Sequence, residues 1–293
     1  MVVERFAPSP TGLLHLGHAY SAALGWSAAH AAGGQFLLRM EDLDQSRCRP
    51  EFYAAIEEDL RWLGLTWNGT VLCQSTRMDA YNQAIARLDE LGVIFGCTCT
   101  RKDLRAAASA PQDGADQDDL ETVYPGTCRN SIIAEGTPRA LRLNMERAID
   151  LCGGASGVSQ LSVVSRGSEI PEREHAICAE KLINRIGDVV LSRKDGVPAY
   201  HLAVVVDDAH QRVSHVTRGE DLLEVTSVHR ILQHLLNLPV PRYFHHKLIR
   251  DEAGKRLAKR DDARSIHSLR EAGHTRYEIF DRLGLQAVPV LRE

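Results

Sequence analysis

The first eighteen residues constrain this chain more than any other stretch. Val2–Ala7 is a short, largely apolar run, Pro8-Ser9-Pro10-Thr11-Gly12 is a turn, and an apolar helical run begins around His15-Leu16-Gly17-His18. Strand, turn and helix in that order bring backbone N–H groups, a helix N-terminus and two histidines to one spot, which suits a polyphosphate. Two histidines one turn apart can donate to phosphoryl oxygens as negative charge builds on them. Arg5 and Ser9 stand at the end of the same strand, where they can hold an attacking group. In isolation a His-x-x-His pair is more simply a helix cap. Here the basic run Lys255-Arg256-Leu257-Ala258-Lys259-Arg260, between an apolar strand and a helical segment, can close on the same phosphates from the other side.

The pattern continues as alternating strand and helix. Val2–Ala7 and Gln35–Met40 read as parallel strands around a helix from about His15 to Ala32, ended by Gly33-Gly34. Such a βαβ unit puts its ligand at the carboxyl ends of the strands. Pro50 opens a helix running to Gly64, and a further helix spans about Arg77 to Leu91. Val93–Cys97, Ala140–Asn144 and Gly187–Ser192 read as strands, with a hairpin turn at Asp195-Gly196. Thr100 with Asp103 forms a helix start, and Ala106–Glu121, poor in large apolar residues, reads as a mobile loop. Tyr200–Val206 is apolar enough to be a strand in the sheet centre, and Leu222–Leu236 and Ser265–Leu283 supply the last helices.

At 293 residues and 44% hydrophobic, the chain can bury one large core, or one core and a small insertion. A net charge of −4 is unlike that of a non-specific nucleic-acid binder. Any RNA partner therefore needs a local basic patch, for which Arg242, His245, His246, Lys247, Arg250, Lys255 to Arg260 and Arg264 are candidates. The N-terminus carries no signal-like segment, and no apolar stretch is long enough to span a membrane. The seven cysteines, an odd number and scattered, do not form a disulfide framework, so a reducing cytoplasm is expected.

Arg5-Phe6-Ala7-Pro8-Ser9-Pro10-Thr11-Gly12 with His15-Leu16-Gly17-His18 resembles the HIGH signature region of class I glutamyl-tRNA synthetases. Leu38–Asp44 resembles the acidic segment after their second strand, and Val216–Leu223 their later glutamate-site segment. Arg256–Arg260 resembles their KMSKS loop, with arginine for the first lysine and alanine for the serine, so that Lys259 alone keeps the expected charge. Few residues lie beyond Lys259, too few for a further domain with its own core. The chain thus resembles the shorter branch, the glutamyl-queuosine tRNA(Asp) synthetases, whose cysteines and tyrosine are spaced like those at 97 to 128.

The resemblance implies an α/β fold: a Rossmann-like class I catalytic domain with a zinc-bearing insertion and a short C-terminal helical segment. The expected divisions are 1–92 and 186–240 for the two catalytic halves, 93–185 for the insertion, and 241–293 for the KMSKS-like loop and last helices. It implies His15, His18 and Lys259 as catalytic and ATP-binding residues, with Mg²⁺ on the phosphates. It implies glutamate contacts at Arg5, Phe6, Ala7, Pro8, Ser9, Glu41, Tyr200 and Arg218. The charge count agrees, since glutamate offers two carboxylates for two guanidiniums and one ammonium for Glu41. A surface role for Glu41 and a salt bridge from Arg218 to Glu220 or Asp221 are the simpler readings of each residue alone.

Cys97-x-Cys99 followed by Cys128 supplies three thiolates, and zinc in structural sites takes four ligands. No further cysteine or histidine lies nearby, and the resemblance implies Tyr124 as the fourth. Cys48, Cys73, Cys152 and Cys178 read as buried small residues.

The implied activity is ATP-dependent activation of glutamate without tRNA, then transfer to the queuosine base at the wobble position of tRNA(Asp). The anticodon stem-loop would be the docked part, and the enzyme a monomer. Two competing readings are a truncated glutamyl-tRNA synthetase charging the tRNA 3′ end and an inactive RNA-binding paralogue.

Overall fold

In the computed structural model, residues 1–100, 102–104, 123–168, 171–249 and 265–285 are described. The stretch 106–121, read above as a loop, and the basic segment containing Lys255, Arg256, Ala258, Lys259 and Arg264 lie outside them.

Strand β1 (Val3–Phe6) leads through helix α1 (Leu16–Ala31) to β2 (Gln35–Met40), which pairs parallel to β1 with Arg5 opposite Leu37. Gly33 ends α1 at φ +58, a backbone conformation that side chains with a Cβ rarely adopt. Helix α2 (Pro50–Trp62) has its proline in the first turn, and it is followed by the short parallel strand β3 (Leu72–Cys73) and α3 (Met78–Glu90). A second parallel set is built later: β9 (His215–Gly219), a helix α7 (Thr226–Leu235), and β10 (Arg242–His246). The two sets meet where β1 lies against β9. Ser214 donates its N–H to the Val3 carbonyl at 3.0 Å, and Glu4 accepts from the Thr217 backbone and hydroxyl. The crevice at the carboxyl ends of β1 and β9 is the place where a doubly wound sheet takes its ligand.

Between these sets the chain forms β4 (Ile94–Cys97) and β5 (Ala140–Leu143), which make an antiparallel sheet with β8 (Val190–Ser192). Helices α4 (Met145–Leu151) and α5 (Gly154–Gln160) lead to β6 (Ser162–Gly167), which runs parallel to β10 and antiparallel to β7 (Arg173–Ala176). One apolar core surrounds β1, α1, β2 and α2 and includes Ile266 and Phe280 from the last helices, α8 (Ile266–Glu271) and α9 (Arg276–Arg282). A second joins α3, α4, α7 and the later strands.

Tyr200–Val206 is not a strand. It opens helix α6 (Tyr200–His210), packed against α3 and α7 and burying Leu202, Ala203, Val204 and Val205. A short apolar run buried on nearly all sides has no polar face to reveal its period, so strand and helix look alike in sequence. The difference matters, because a helical period brings Tyr200, Val204, Asp208 and Gln211 to one face.

Candidate active site

A cleft of about 340 Å³ opens at the carboxyl ends of β1, β2, β9 and β10. Its lining includes Arg5, Phe6, Ala7, Pro8, Ser9, His15, His18, Glu41, Tyr200 and Arg218, so the structure brings together every expected glutamate and ATP residue except Lys259. Lys259 lies outside the described residues. The chain leaves the described structure next to Ile249, which lines the cleft, and returns at Ser265, which bridges to His15.

His15 caps α1. Its Nδ1 accepts from the Gly17 N–H at 3.1 Å, and the His15 N–H donates to His18 Nδ1 at 3.2 Å. The two rings stack with centroids 3.7 Å apart. A Cβ at position 17 would stand 3.0 Å from the His15 ring, so the glycine lets the pair fold over the helix start. Capping uses the Nδ1 atom of each ring, and both histidines line the cleft.

The two arginines are held differently. Arg5 Nε donates to Asp208 at 3.1 Å, and the fully buried Arg39 donates to the same oxygen at 2.8 Å while standing 3.5 Å from Glu41. Asp208 is buried, which would raise its carboxyl, but Arg5 and Arg39 outweigh burial and hold it below the usual range. Burial pushes the Glu41 carboxyl up, against the pull of Arg39 and Arg5. Arg218, 5% exposed, pairs with no carboxylate among the described residues, which removes the simple salt-bridge reading. It donates instead to neutral groups: the Leu222 carbonyl at 3.2 Å, Tyr200 Oη at 3.4 Å, His229 Nδ1 at 3.2 Å and the Thr226 hydroxyl.

A guanidinium only donates, so His229 Nδ1 is the acceptor, and its Nε2 proton faces His201 Nδ1 at 3.2 Å. Burial and the Arg218 charge lower the pKa of His229 far below normal and bring His201 down to about 4, keeping both rings neutral. Arg5, Arg39 and Arg218 thus stand against Asp208, Glu41 and the cleft-lining Asp221, so the charges in and beneath the cleft balance.

Asp208, Arg39, His229 and Thr226 are the supporting residues that sequence reasoning missed. The adjacent Asp207-Asp208 pair after an apolar run was a signal, but on a strand the two would face opposite ways. His246 also lines the cleft. Its Nδ1 faces the Lys247 carbonyl at 2.9 Å; a carbonyl only accepts, so Nδ1 bears the proton and Nε2 is an acceptor. That Nε2 is buried with no partner among the described residues. His245 and His246 are 3% and 4% exposed, and Arg242 pairs with Glu172, so these positions do not form the free basic patch expected from sequence.

Away from the cleft, Cys97, Cys99 and Cys128 hold their sulfurs within 4.8 Å of one another. Cys99 and Cys128 are 3.5 Å apart, and Tyr124 Oη is 3.5 Å from Cys97 Sγ and 3.9 Å from Cys99 Sγ. A tetrahedral zinc with bonds near 2.3 Å sets its sulfurs about 3.8 Å apart, so the four donors fit that ion. The Arg142 guanidinium lies 4.1 Å over the Tyr124 ring, a charge that favours a phenolate ligand. Of the other cysteines Cys152 is buried, Cys48 and Cys73 are partly so, and Cys178 is exposed, contrary to expectation.

A split parallel sheet with a histidine-capped helix at its crevice defines a class I tRNA synthetase catalytic core. The family model for the class I (E and Q) tRNA synthetase catalytic domain matches residues 1–292. A glutamyl-Q tRNA(Asp) synthetase from Rhodobacter capsulatus is 49% identical over 292 residues, covering 97% of this chain and all of that protein. One from Nocardia farcinica is 42% identical, covering 97% of this chain and 86% of the relative. The chain belongs to the glutamyl-Q tRNA(Asp) synthetase branch of this class I family. Among solved structures, a glutamate tRNA ligase from Elizabethkingia meningosepticum superposes with a TM-score of 0.69 at 27% identity, covering 89% of this chain. The chain spans about half of that enzyme, 52% of its length. A methionyl-tRNA synthetase from Mycobacterium tuberculosis, 10% identical with a TM-score of 0.60, shares the fold.

Proposed function

We propose that the cleft condenses glutamate with ATP and passes the glutamyl group to the queuosine base of tRNA(Asp). The observation that carries this reading is the buried Arg218, which has no carboxylate partner among the described residues and lines one cleft together with Arg5, Tyr200 and Glu41. Arg5 and Arg218 receive the two carboxylates, Tyr200 adds a hydroxyl donor and Glu41 takes the ammonium. The glutamate α-carboxylate attacks the α-phosphorus of ATP, the bond to the β-phosphate oxygen breaks, and pyrophosphate leaves. The nucleophile is already ionised, so no general base is needed. His15 and His18 donate to the phosphoryl oxygens as charge develops. Lys259 acts with them; both flanks of its segment, Ile249 and Ser265, stand at the cleft. Mg²⁺ bound with ATP would screen the phosphate charge. His246 Nε2 offers an acceptor to an amine or hydroxyl of the nucleotide.

A hydroxyl of the cyclopentenediol on queuosine, a cis-diol on a five-membered ring like the terminal ribose of a tRNA, then attacks the glutamyl carbonyl of the adenylate; the acyl–phosphate bond breaks, AMP leaves and the hydroxyl proton goes with it. The Cys97, Cys99, Tyr124 and Cys128 set would hold a structural zinc in the region 93–185, all four positions filled by protein and none open to substrate. The protein acts as a monomer.

The test is ATP–pyrophosphate exchange with glutamate and no tRNA, followed by acid-labile [¹⁴C]glutamate transfer to tRNA(Asp) with and without queuosine. Exchange without tRNA and transfer only to the modified tRNA are expected. Transfer to the 3′ end of tRNA(Glu) would favour a truncated glutamyl-tRNA synthetase, and no exchange at all an inactive paralogue. Glutamine should be activated on the order of 10⁴-fold less well, because its amide leaves a buried guanidinium charge unmatched.

A further inference from the structure

A second groove, of about 310 Å³, lies between the β6–β7 hairpin, the helical segment Ala179–Ile186 that follows it and the start of α7. Its floor is apolar, with Val163, Ile177 and Leu182 buried beneath it, and Leu223 is 45% exposed at its edge. Its rim carries Arg173, Lys181 and Arg185, all exposed. A single carboxylate, Glu224, lines the groove, 4.0 Å from Arg185. Arg173 donates to the neutral ring of His175, and Lys181 has no ion pair among the described residues. In a chain of net charge −4 this is a local surplus of two positive charges.

The groove shares a wall with the active-site cleft. Leu222 lines the cleft, Leu223 and Thr226 line the groove, and Arg218 reaches across to the Leu222 carbonyl and the Thr226 hydroxyl. The two recesses are therefore neighbours, separated by the segment Leu222–Thr226.

We propose that this groove docks the single-stranded RNA flanking the acceptor nucleotide, with Lys181, Arg185 and Arg173 on its phosphates and a splayed base against Leu223 and the apolar floor. Cationic rim and apolar floor are the two parts that unpaired RNA needs, since its bases are exposed and its backbone is charged. The inference rests on the reading that the acceptor belongs to an RNA loop.

The experiment measures the affinity of the full chain for queuosine-containing tRNA(Asp) across a salt series, alongside tRNA-free ATP–pyrophosphate exchange. Lys181→Glu with Arg185→Glu should weaken binding by about 10-fold or more and reduce the log–log salt slope by about 1.4, two contacts at about 0.7 each. Exchange should be unchanged, which also shows that the variant is folded. Glu224→Gln should act in the opposite direction and tighten binding a few-fold. Unchanged affinity and salt slope in the double variant, or weaker binding in Glu224→Gln, would overturn the docking surface. Failure of the wild type to transfer glutamate to queuosine, with the charge variants still altering RNA affinity as described, would overturn the assigned acceptor and leave the surface standing.

Discussion

Arg5 and Arg218 are both buried guanidiniums at the ends of parallel strands, yet one is matched by charge and the other only by dipoles. Asp208 holds Arg5 and Arg39 together through one oxygen. Asp208→Asn keeps the shape and removes that charge. It should lower stability by about 3–5 kcal/mol, the cost of breaking a buried ionic network. It should also raise the KM for glutamate by up to about 10²-fold as Arg5 loses its position. Denaturant unfolding and pyrophosphate exchange check the two effects separately, and an unchanged KM would show that Arg5 does not depend on Asp208. At Glu41, burial raises the carboxyl above its ordinary 4.5, so it gains a proton at a higher pH than an exposed glutamate. A protonated Glu41 cannot pair with the substrate ammonium. The KM for glutamate should therefore climb as pH falls through that raised value, and Glu41→Gln should show a high KM with this pH dependence gone.

The junction of β1 and β9 decides where the cleft opens, and a buried carboxyl lies across it. Glu4 is 2% exposed, and burial pushes its pKa from 4.5 to about 7 despite hydrogen bonds from Thr217. Between those two pH values the folded chain binds more protons than the unfolded one, so stability falls as pH rises through the window. The loss is at most about 3 kcal/mol by pH 8. Glu4→Gln keeps an acceptor for the Thr217 N–H and has no charge to bury. Its melting temperature should exceed that of the wild type by several degrees at pH 8 and converge with it near pH 4. A wild-type melting curve indifferent to pH between 5 and 8 would count against a strained carboxyl at this junction. Helix α6 is the element that sequence reading placed in the wrong class. Its first turns are buried among apolar neighbours, and only its last turn carries the charges, Asp207 and Asp208, that anchor three arginines, Arg77 with Arg5 and Arg39.

Across the whole molecule the cleft and the cysteine cluster are separate pieces of chemistry, so their losses should be separable. Cys99→Ser should lower bound zinc from about one equivalent to near zero in protein purified under reducing conditions. It should destabilise the region around Cys97 and Cys128, since metal binding is linked to folding. Transfer to tRNA should suffer more than tRNA-free activation. Absence of zinc from the wild-type protein would remove the site, and recovery of activation on adding zinc without a change in folding would make the metal catalytic.

The sequence by itself determined what depends on local order. The strand–turn–helix at residues 3 to 31 is contiguous, so its histidines, its glycine and Arg5 were legible, as were the cysteine spacing and the hairpin at Gly196, where φ is +80. Glu41 and Arg218 were legible as charges next to strand ends. Only the tertiary structure decided which partner each charge keeps. Asp208 meets Arg5 across 203 positions of sequence and Arg39 across 169, contacts that no local pattern encodes. Helix α6 was settled the same way, because a run buried on every side takes its class from its neighbours rather than from its own period. The basic groove at Arg173, Lys181 and Arg185 likewise exists only when a hairpin and the helical segment after it pack together, whereas His245 and His246, adjacent and conspicuous in sequence, are buried.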